Sequence, residues 1–244
     1  MVERRSGSGI ASFFVEATPG AGTTVPLPDA AVKHARVRRL VTGDAVRVTD
    51  GAGTAGWGTL GRLDSSGVEV LVEACESVER PTPLALLVPV ADRERMLWLA
   101  EKAAEFAITD WRPVLYARSR SVSPRGEGEA FARKVRARMI GALEQSGGAW
   151  LPAVHDGCTL DQAVAACAGV GARLVLDAGG PAMSSFAPFH ATAVAVGPEG
   201  GLEPDELDRL LSHGWRAAAL GSTTLRFETA GIAAVAIVRS GQGR

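Results

Sequence analysis

The sequence predicts a two-domain α/β protein, in which a small β-barrel precedes an α/β domain with a mostly parallel sheet. The chain has 244 residues, 46% of them hydrophobic and 22% charged, enough to bury a substantial core without disulfides or metals. Short β-rich runs fill residues 10–75, whereas strand and helix patterns alternate from residue 84 onward. A proline-containing stretch at 76–83 separates these two textures.

The first domain combines short strands with one helix. Turn clusters separate its β-rich runs, and the predicted strands are 12–15, 45–49, 55–63 and 68–74. Asp29 is expected to cap a helix over residues 30–40, in which Val32, Ala35 and Val37 face inward. Many short strands in so few residues are typical of a small β-barrel.

The second domain begins after a linker. Residues 77–83 contain two prolines, which disfavour helix and strand, and residues 84–90 form the apolar run of a buried parallel strand. A helical pattern follows over 93–107. The other predicted strands are 113–116, 174–176, 193–196 and 217–220, and the other helices are 129–147, 159–168, 204–212 and 228–238. We therefore expect domains at 1–76 and 84–244.

Charge and cysteine content exclude several protein classes. The 26 basic residues nearly balance 27 acidic ones, so the chain is not a globally basic nucleic-acid binder. The local basic segments 33–39 and 112–138 are consistent with phosphate contacts, although a solvated helix face explains such charge equally well. Three cysteines without a C-x-x-C pair support neither a disulfide framework nor a zinc site. With no transmembrane run or secretory signal, we expect a cytoplasmic protein without metal.

Three glycine-containing loops follow predicted buried strands, which is where parallel α/β sheets bind ligands. They are residues 177–181, 197–201 and 221–230, reading DAGGP, GPEGG and GSTTLRFETA. Glycine lets the backbone approach a ligand closely, and N–H groups at a helix start hold polar ligand atoms. The dinucleotide, P-loop and nucleophile-elbow motifs are absent. Taken singly, each loop is equally explained as an ordinary turn or a capped helix.

Six strings occur in an order that is characteristic of one family. They are HARVRRL at 34–40 followed by GD at 43–44, DG at 50–51, KAAE at 102–105, EQS at 144–146, GPEGG at 197–201 and LGSTTLRFET at 220–229. With these strings the chain resembles the bacterial 16S rRNA uridine-N3 methyltransferases of the SPOUT class. The last three strings are the most specific in combination. The chain departs from the usual family residues at Ala107, Gly148, Thr223 and Phe227.

The resemblance implies an N-terminal PUA-like β-barrel, a C-terminal SPOUT domain with a trefoil knot, and a homodimer. It also implies S-adenosyl-L-methionine as cofactor, held by loops at 176–180, 197–201 and 220–226. The implied cofactor-binding residues are Leu176, Asp177, Gly197, Pro198, Glu199, Gly200, Gly201, Leu220, Gly221, Ser222, Leu225 and Arg226. The implied partner is 16S rRNA or the small ribosomal subunit. Its expected contacts are Lys33, His34, Arg36, Arg38, Arg39, Arg118 and Arg120.

The implied reaction needs charge stabilisation and a proton acceptor. The sulfonium already carries an activated methyl group, so no metal or covalent nucleophile is required. Uridine N3 must lose its proton while it is held in line with that methyl group. We expect Arg226 to stabilise charge on the uracil oxygens and Glu199 to be the acidic catalytic residue. Glu144 and Glu228 are the other acidic candidates.

Three alternatives remain open at this point. The departures at Gly148, Thr223 and Phe227 allow a SPOUT methyltransferase that acts on another RNA base. A non-catalytic RNA-binding homologue would have no use for an intact cofactor loop, which disfavours it. A metabolic α/β nucleotide enzyme would bind a cofactor without depending on RNA.

Overall fold

The computed structural model describes residues 10–64, 67–121 and 124–242, and the chain divides into two compact units. The first unit comprises the described residues up to Arg80 together with Leu143–Leu151. The second comprises Pro81–Ala142 and the described residues from Pro152 onward. From the sequence we placed Leu143–Leu151 in the second domain, because one uninterrupted helical pattern covers 129–147.

The first unit is built on one five-stranded sheet. Its strands are β1 (Ala11–Phe14), β2 (Thr24–Pro26), β3 (Ala45–Thr49), β4 (Thr54–Asp64) and β5 (Gly67–Ser77), in the spatial order β1-β3-β4-β5-β2. β1 pairs with β3 in parallel, and the remaining neighbours are antiparallel. β4 and β5 correspond to the predicted strands 55–63 and 68–74 and are slightly longer, whereas β2 was not predicted. β5 reaches Ser77, which lies inside the predicted linker.

Helix α1 (Asp29–Val37) differs from the prediction at both ends. Its N-cap is Pro28, and Asp29 lies in the first turn, so the predicted capping role of Asp29 is wrong. A carboxylate in the first turn still interacts favourably with the helix dipole. Ala35 is buried as expected, but Val37 is 75% exposed because the helix ends there and its side chain turns away from the sheet.

The second unit has an all-parallel sheet of six strands, which confirms the predicted class. In chain order it contains β6 (Leu84–Pro89), α2 (Arg93–Glu105), β7 (Asp110–Val114), α3 (Glu129–Ser146), β8 (Ala153–Val154), α4 (Leu160–Ala166), β9 (Ala172–Leu176), β10 (Thr192–Ala195), α5 (Pro204–Ser212), β11 (Arg216–Ala218) and α6 (Phe227–Gly241). We did not predict β8, which has only two residues. We expected β7 at 113–116, because charged Asp110 and Arg112 obscure its apolar pattern.

The strand order creates a crevice near the centre of the sheet. The order is β11-β9-β10-β6-β7-β8, so the chain continues from β6 to one side and later returns to the other. The connections that leave β6 and β10 therefore diverge at the carboxyl edge. The three glycine-containing loops follow β9, β10 and β11 at this same edge.

Arg239 anchors the C-terminal end of α6. Its guanidinium donates to the carbonyl oxygens of Phe106 (2.9 Å), Thr82 (2.7 Å) and Ala107. Burial lowers the pKa of Arg239 to about 10. These contacts hold α6 beside the end of α2, while the opposite end of α6 begins at the three loops.

Candidate active site

The three loops converge on one cleft of about 350 Å³. The predicted residues that line it are Leu176, Asp177, Gly197, Pro198, Glu199, Gly200, Gly201, Leu220, Gly221 and Leu225. Ser222 and Arg226 belong to the same loops but are not among the lining residues. The lining residues that we did not predict are Ala178, Val196, Leu202, Ala218, Thr223, Thr224, Phe227 and Ala230. Most of them adjoin predicted positions, and Ala178, Thr223, Thr224 and Phe227 lie in or next to the predicted loops without having been singled out as contacts.

The 176–180 loop is tied to the strand that precedes the 220–226 loop. The N–H of Asp177 donates to the carbonyl oxygen of Ala218 over 3.1 Å, and its own Oδ1 accepts from the N–H of Gly179 over 2.8 Å. A Cβ on Gly180 would lie 2.5 Å from the carbonyl carbon of Ala217, so only glycine fits there. Because Gly180 has no side chain, two segments that are distant in the sequence can pack closely here.

The 197–201 loop is a tight turn. The N–H of Gly201 donates to the carbonyl oxygen of Pro198 over 2.8 Å, and Gly201 has a φ of +75°. That backbone conformation strongly favours glycine. The turn begins where β10 ends, and its five residues all line the cleft.

A short 3₁₀ helix, Ala117–Ser121, braces the 197–201 loop. The Arg118 side chain donates to the carbonyl oxygen of Gly200, and its Nε lies 2.8 Å from Oε1 of Glu203. Oε1 of Glu206 accepts from the N–H of Ala117 over 2.8 Å. Arg118 therefore binds the 197–201 loop, a role that the predicted RNA contact did not include. The side chain of Arg120 lies outside the described residues.

The acidic side chains near the cleft meet at one arginine. Arg95 contacts Oε1 of Glu199, and its Nε lies 3.9 Å from Oε1 of Glu228. The side chain of Glu199 is 52% exposed, whereas that of Glu228 is 12% exposed. We did not identify Arg95 from the sequence, because it lies among other charged residues at the start of an ordinary amphipathic helix.

Arg226 is the last residue of the 220–226 loop and directly precedes α6. It is the N-cap residue of α6, and its carbonyl oxygen accepts from the N–H of Ala230 over 2.8 Å. Its side chain is exposed, and no hydrogen bond or ion pair is recorded for it within the described ranges. The guanidinium is therefore available to a bound molecule.

The predicted RNA contacts of the first unit surround α1. The side chains of Lys33, Arg36, Arg38 and Arg39 are exposed. His34 is partly buried: its ring packs edge-on against Phe13, and Nδ1 lies 3.7 Å from Oε2 of Glu144. The helix thus presents cations to solvent while its histidine faces the unit.

Glu144 fastens the returning segment Leu143–Leu151 to the first unit. Its Oε1 accepts from the N–H of Phe14 over 2.9 Å. Burial raises the pKa of the Glu144 carboxyl, and the hydrogen bond from Phe14 and nearby His34 partly offset this effect. Glu144, one of the acidic catalytic candidates, therefore makes a structural hydrogen bond in the first unit.

Neither a metal site nor a membrane-spanning helix occurs in the described ranges 10–64, 67–121 and 124–242. Within them, no group of three or more His, Cys, Asp or Glu side chains could hold a metal ion. Over the same ranges, no helix is both long and apolar enough to cross a membrane.

The fold and the cleft define a class: an α/β protein with a candidate ligand site at the carboxyl edge of a parallel sheet. Residues 78–239 match the family model described as RNA methyltransferase domain, and residues 27–73 match the model described as RNA methyltransferase PUA domain. The chain belongs to this RNA methyltransferase family. The predicted family and the PUA-like and α/β classes are thereby confirmed, while the knot stays a prediction.

Individual relatives agree with the family assignment. The ribosomal RNA small subunit methyltransferase E of Synechocystis sp. is 27% identical over 212 residues, which cover 84% of this chain and 69% of that protein. The Mycobacterium bovis protein of the same name is 26% identical over 238 residues, covering 93% and 90%. The crystal structure of the Neisseria gonorrhoeae protein of this name, bound to S-adenosyl methionine, has a TM-score of 0.84 at 25% identity and covers 95% and 97%.

Proposed function

We propose that the protein transfers a methyl group from S-adenosyl-L-methionine to N3 of a uridine in 16S rRNA. The observation that carries this proposal is the convergence of the 176–180, 197–201 and 220–226 loops on one cleft. Membership of an RNA methyltransferase family and the S-adenosyl methionine bound by the Neisseria gonorrhoeae relative support it. The assignment to uridine N3 rests on the GPEGG and LGSTTLRFET strings.

The residues of the cleft fit this cofactor. The tight glycine-containing turn at 197–201 allows close approach of the backbone to the cofactor. Leu176, Leu220 and Leu225 supply apolar surface, and the carboxylate of Glu199 attracts the positive charge of the sulfonium. When bound, the cofactor supplies a methyl group that is already activated.

The side chains of the chain itself then have two tasks. The exposed guanidinium of Arg226 is positioned to stabilise negative charge that develops on the carbonyl oxygens of the target base. The carboxylate of Glu199 is the proposed acceptor of the proton that leaves the base nitrogen. Leu225 and Phe227 flank Arg226 in the chain and line the cleft, which supports a place for Arg226 near the cofactor.

Two variants test the catalytic assignment. Glu199→Ala and Arg226→Ala should each lower kcat by about 100-fold or more, since acid–base and oxyanion-type contributions are of this order. Calorimetry should show that S-adenosylmethionine still binds. Arg209→Ala, which removes an exposed ion pair with Asp161, is the control and should keep kcat. Full turnover of both variants with normal cofactor binding would refute the assignment.

The target nucleotide is tested by mass mapping of modified nucleosides in rRNA from a deletion strain. Loss of one N3-methyluridine from 16S rRNA, restored by the intact gene, is the expected result. Loss of a different methylated base would favour the alternative of another target. Phe227 bears on that alternative: it is 2% exposed and lines the cleft, so its departure from the family residue changes the cleft wall.

The remaining family features are part of the same proposal. We propose a homodimer that acts on rRNA or the small ribosomal subunit in the cytoplasm, with Lys33, Arg36, Arg38 and Arg39 facing the RNA. The trefoil knot is proposed from the family resemblance. Ala219 pairs with Pro181 and Met183 through backbone hydrogen bonds of 2.8 Å each, so the segment after β11 lies beside the chain that follows the 176–180 loop.

A further inference from the structure

Arg95 does not line the cleft itself but contacts Glu199, which does, and no motif singled it out. It occupies the first turn of α2, where its N–H donates to Oδ1 of the capping residue Asp92 over 3.0 Å. β6 leads into α2 and neighbours β10, so this turn lies at the edge of the sheet where the 197–201 loop begins. The hydrogen bond to Asp92 thus fixes the backbone of Arg95 independently of the contacts of its side chain.

The guanidinium of Arg95 links one buried and one exposed carboxylate. It contacts Glu199, and its Nε lies 3.9 Å from Oε1 of Glu228. Oε2 of Glu228 is buried and has no hydrogen-bond partner in the part of the chain that the structure describes. A guanidinium has a rigid fork of five donors, so it can serve two acids at once. The buried Glu228 therefore attracts Arg95 across 3.9 Å, and Arg95 in turn contacts the exposed Glu199 directly.

We propose that Arg95 is a positioning residue that holds Glu199 in the orientation in which it accepts the proton of the target base. This inference rests on the proposed function. In this step the N–H proton passes to the carboxylate of Glu199, and the nitrogen keeps the electron pair that forms its bond to the methyl carbon. The pair of the broken carbon–sulfur bond goes to sulfur, which leaves as a neutral thioether. An exposed carboxylate without a partner samples several rotamers, and a displacement of about 1 Å costs as much as about 100-fold in rate.

The first test separates turnover from binding. Arg95→Met should lower kcat by about 10- to 100-fold. The dissociation constant of S-adenosylmethionine and the KM for RNA should change by less than about threefold, because Arg95 touches neither directly. Arg93→Met, in the same helical turn and stacked on Phe131 at 5.5 Å, is the matched control and should keep kcat. An unchanged kcat in Arg95→Met would overturn the proposal.

The second test asks whether Arg95 acts through Glu199. In a Glu199→Gln background, Arg95→Met should lower kcat no further, whereas an equal loss in both backgrounds would contradict the positioning role. Arg95→Lys keeps the charge but not the fork, so it should recover part of kcat. If Arg95→Met fails to fold, the same cycle is run with Arg95→Lys.

A third readout needs neither cofactor nor RNA. In arginine side-chain NMR spectra, the Nε–H signal of Arg95 should move in Glu199→Gln and also in Glu228→Gln. If this signal moves in neither variant, the contacts of Arg95 with Glu199 and Glu228 are refuted, whatever the activity. Conversely, the wild-type protein could transfer no methyl group although this signal moves in both variants. That result would refute the proposed function and leave the contacts of Arg95 with Glu199 and Glu228 established.

Discussion

Ala107 adopts a left-handed backbone conformation, which is uncommon for residues other than glycine. It has a φ of +54° at the end of α2, where its N–H donates to the carbonyl oxygen of Ala104 and the N–H of Ile108 to that of Ala103. This pattern is a Schellman motif, which requires a left-handed residue and favours glycine. The departure noted at Ala107 therefore places a Cβ where the backbone disfavours it.

Ala107→Gly should stabilise the protein. Removing the Cβ relieves roughly 1–2 kcal/mol, while glycine costs part of this in the unfolded chain, so the net gain is about 0.5 kcal/mol. Urea denaturation measures the difference. Ala137→Gly, on the exposed face of α3, is the control and should lose about 1 kcal/mol. A loss of stability at Ala107 would contradict this account.

Glu144→Gln should change how stability depends on pH. Burial raises the pKa of Glu144 above its ordinary value of 4.5, so the folded state favours the protonated acid. The stability that the protonated acid contributes is complete below the unfolded value and is lost as pH rises through the folded one. Glutamine still accepts from the N–H of Phe14 but does not ionise.

The variant should therefore gain stability relative to wild type as pH rises from about 4.5 upward. Urea unfolding across a pH series tests this expectation. Glu69→Gln, on the exposed side of β5, serves as a comparison for an ordinary surface change. If the free energies of unfolding of Glu144→Gln and wild type differ by the same amount at every pH, the raised pKa of the buried Glu144 carboxyl is contradicted.

At the scale of elements, the 3₁₀ helix Ala117–Ser121 is held against the 197–201 loop and the helix that follows it. Arg118→Gln removes the contacts to Gly200 and Glu203, so the 197–201 loop loses its brace. We expect the affinity for S-adenosylmethionine to fall by about tenfold, the scale of one charged hydrogen bond that is partly screened by solvent. Calorimetry with cofactor and no RNA measures this effect. Unchanged cofactor affinity would leave only the predicted RNA contact for Arg118.

For the whole molecule, RNA binding should be strongly salt-dependent although the net charge is only −1. The exposed cations on α1 concentrate positive charge on one surface, and each phosphate contact releases counterions. Lys33→Ala should lower the slope of log K against log salt by about 0.7–0.9 and weaken binding to all RNA sequences alike. Filter binding over a salt series provides the measurement, and an identical slope in the variant would exclude Lys33 from the interface.

The predictions succeeded where information is local and failed where it is distant. The glycine-containing loops were predictable because turn chemistry and position after apolar strands are readable in short windows. Pro28 displaced Asp29 as the cap of α1, since proline already presets the extended backbone there. The segment Leu143–Leu151 joins the first unit through long-range contacts, such as Trp150 Nε1 to the carbonyl oxygen of Val78 at 2.9 Å. No periodicity in the chain marks such a contact.

The sequence by itself determined the longer helices and strands and the positions of the three loops, because hydrophobic period, prolines and glycines act over a few neighbours. The short strands β2 and β8 were not predictable in this way. Only the tertiary structure decided which charges meet: Arg95 with Glu199 and Glu228, Arg118 with Gly200, and Glu144 with Phe14. Each pairing joins residues that the chain separates widely, and each depends on strand order. The physical reason is that electrostatic and hydrogen-bond energies depend on distance in space, and the parallel sheet sets that distance.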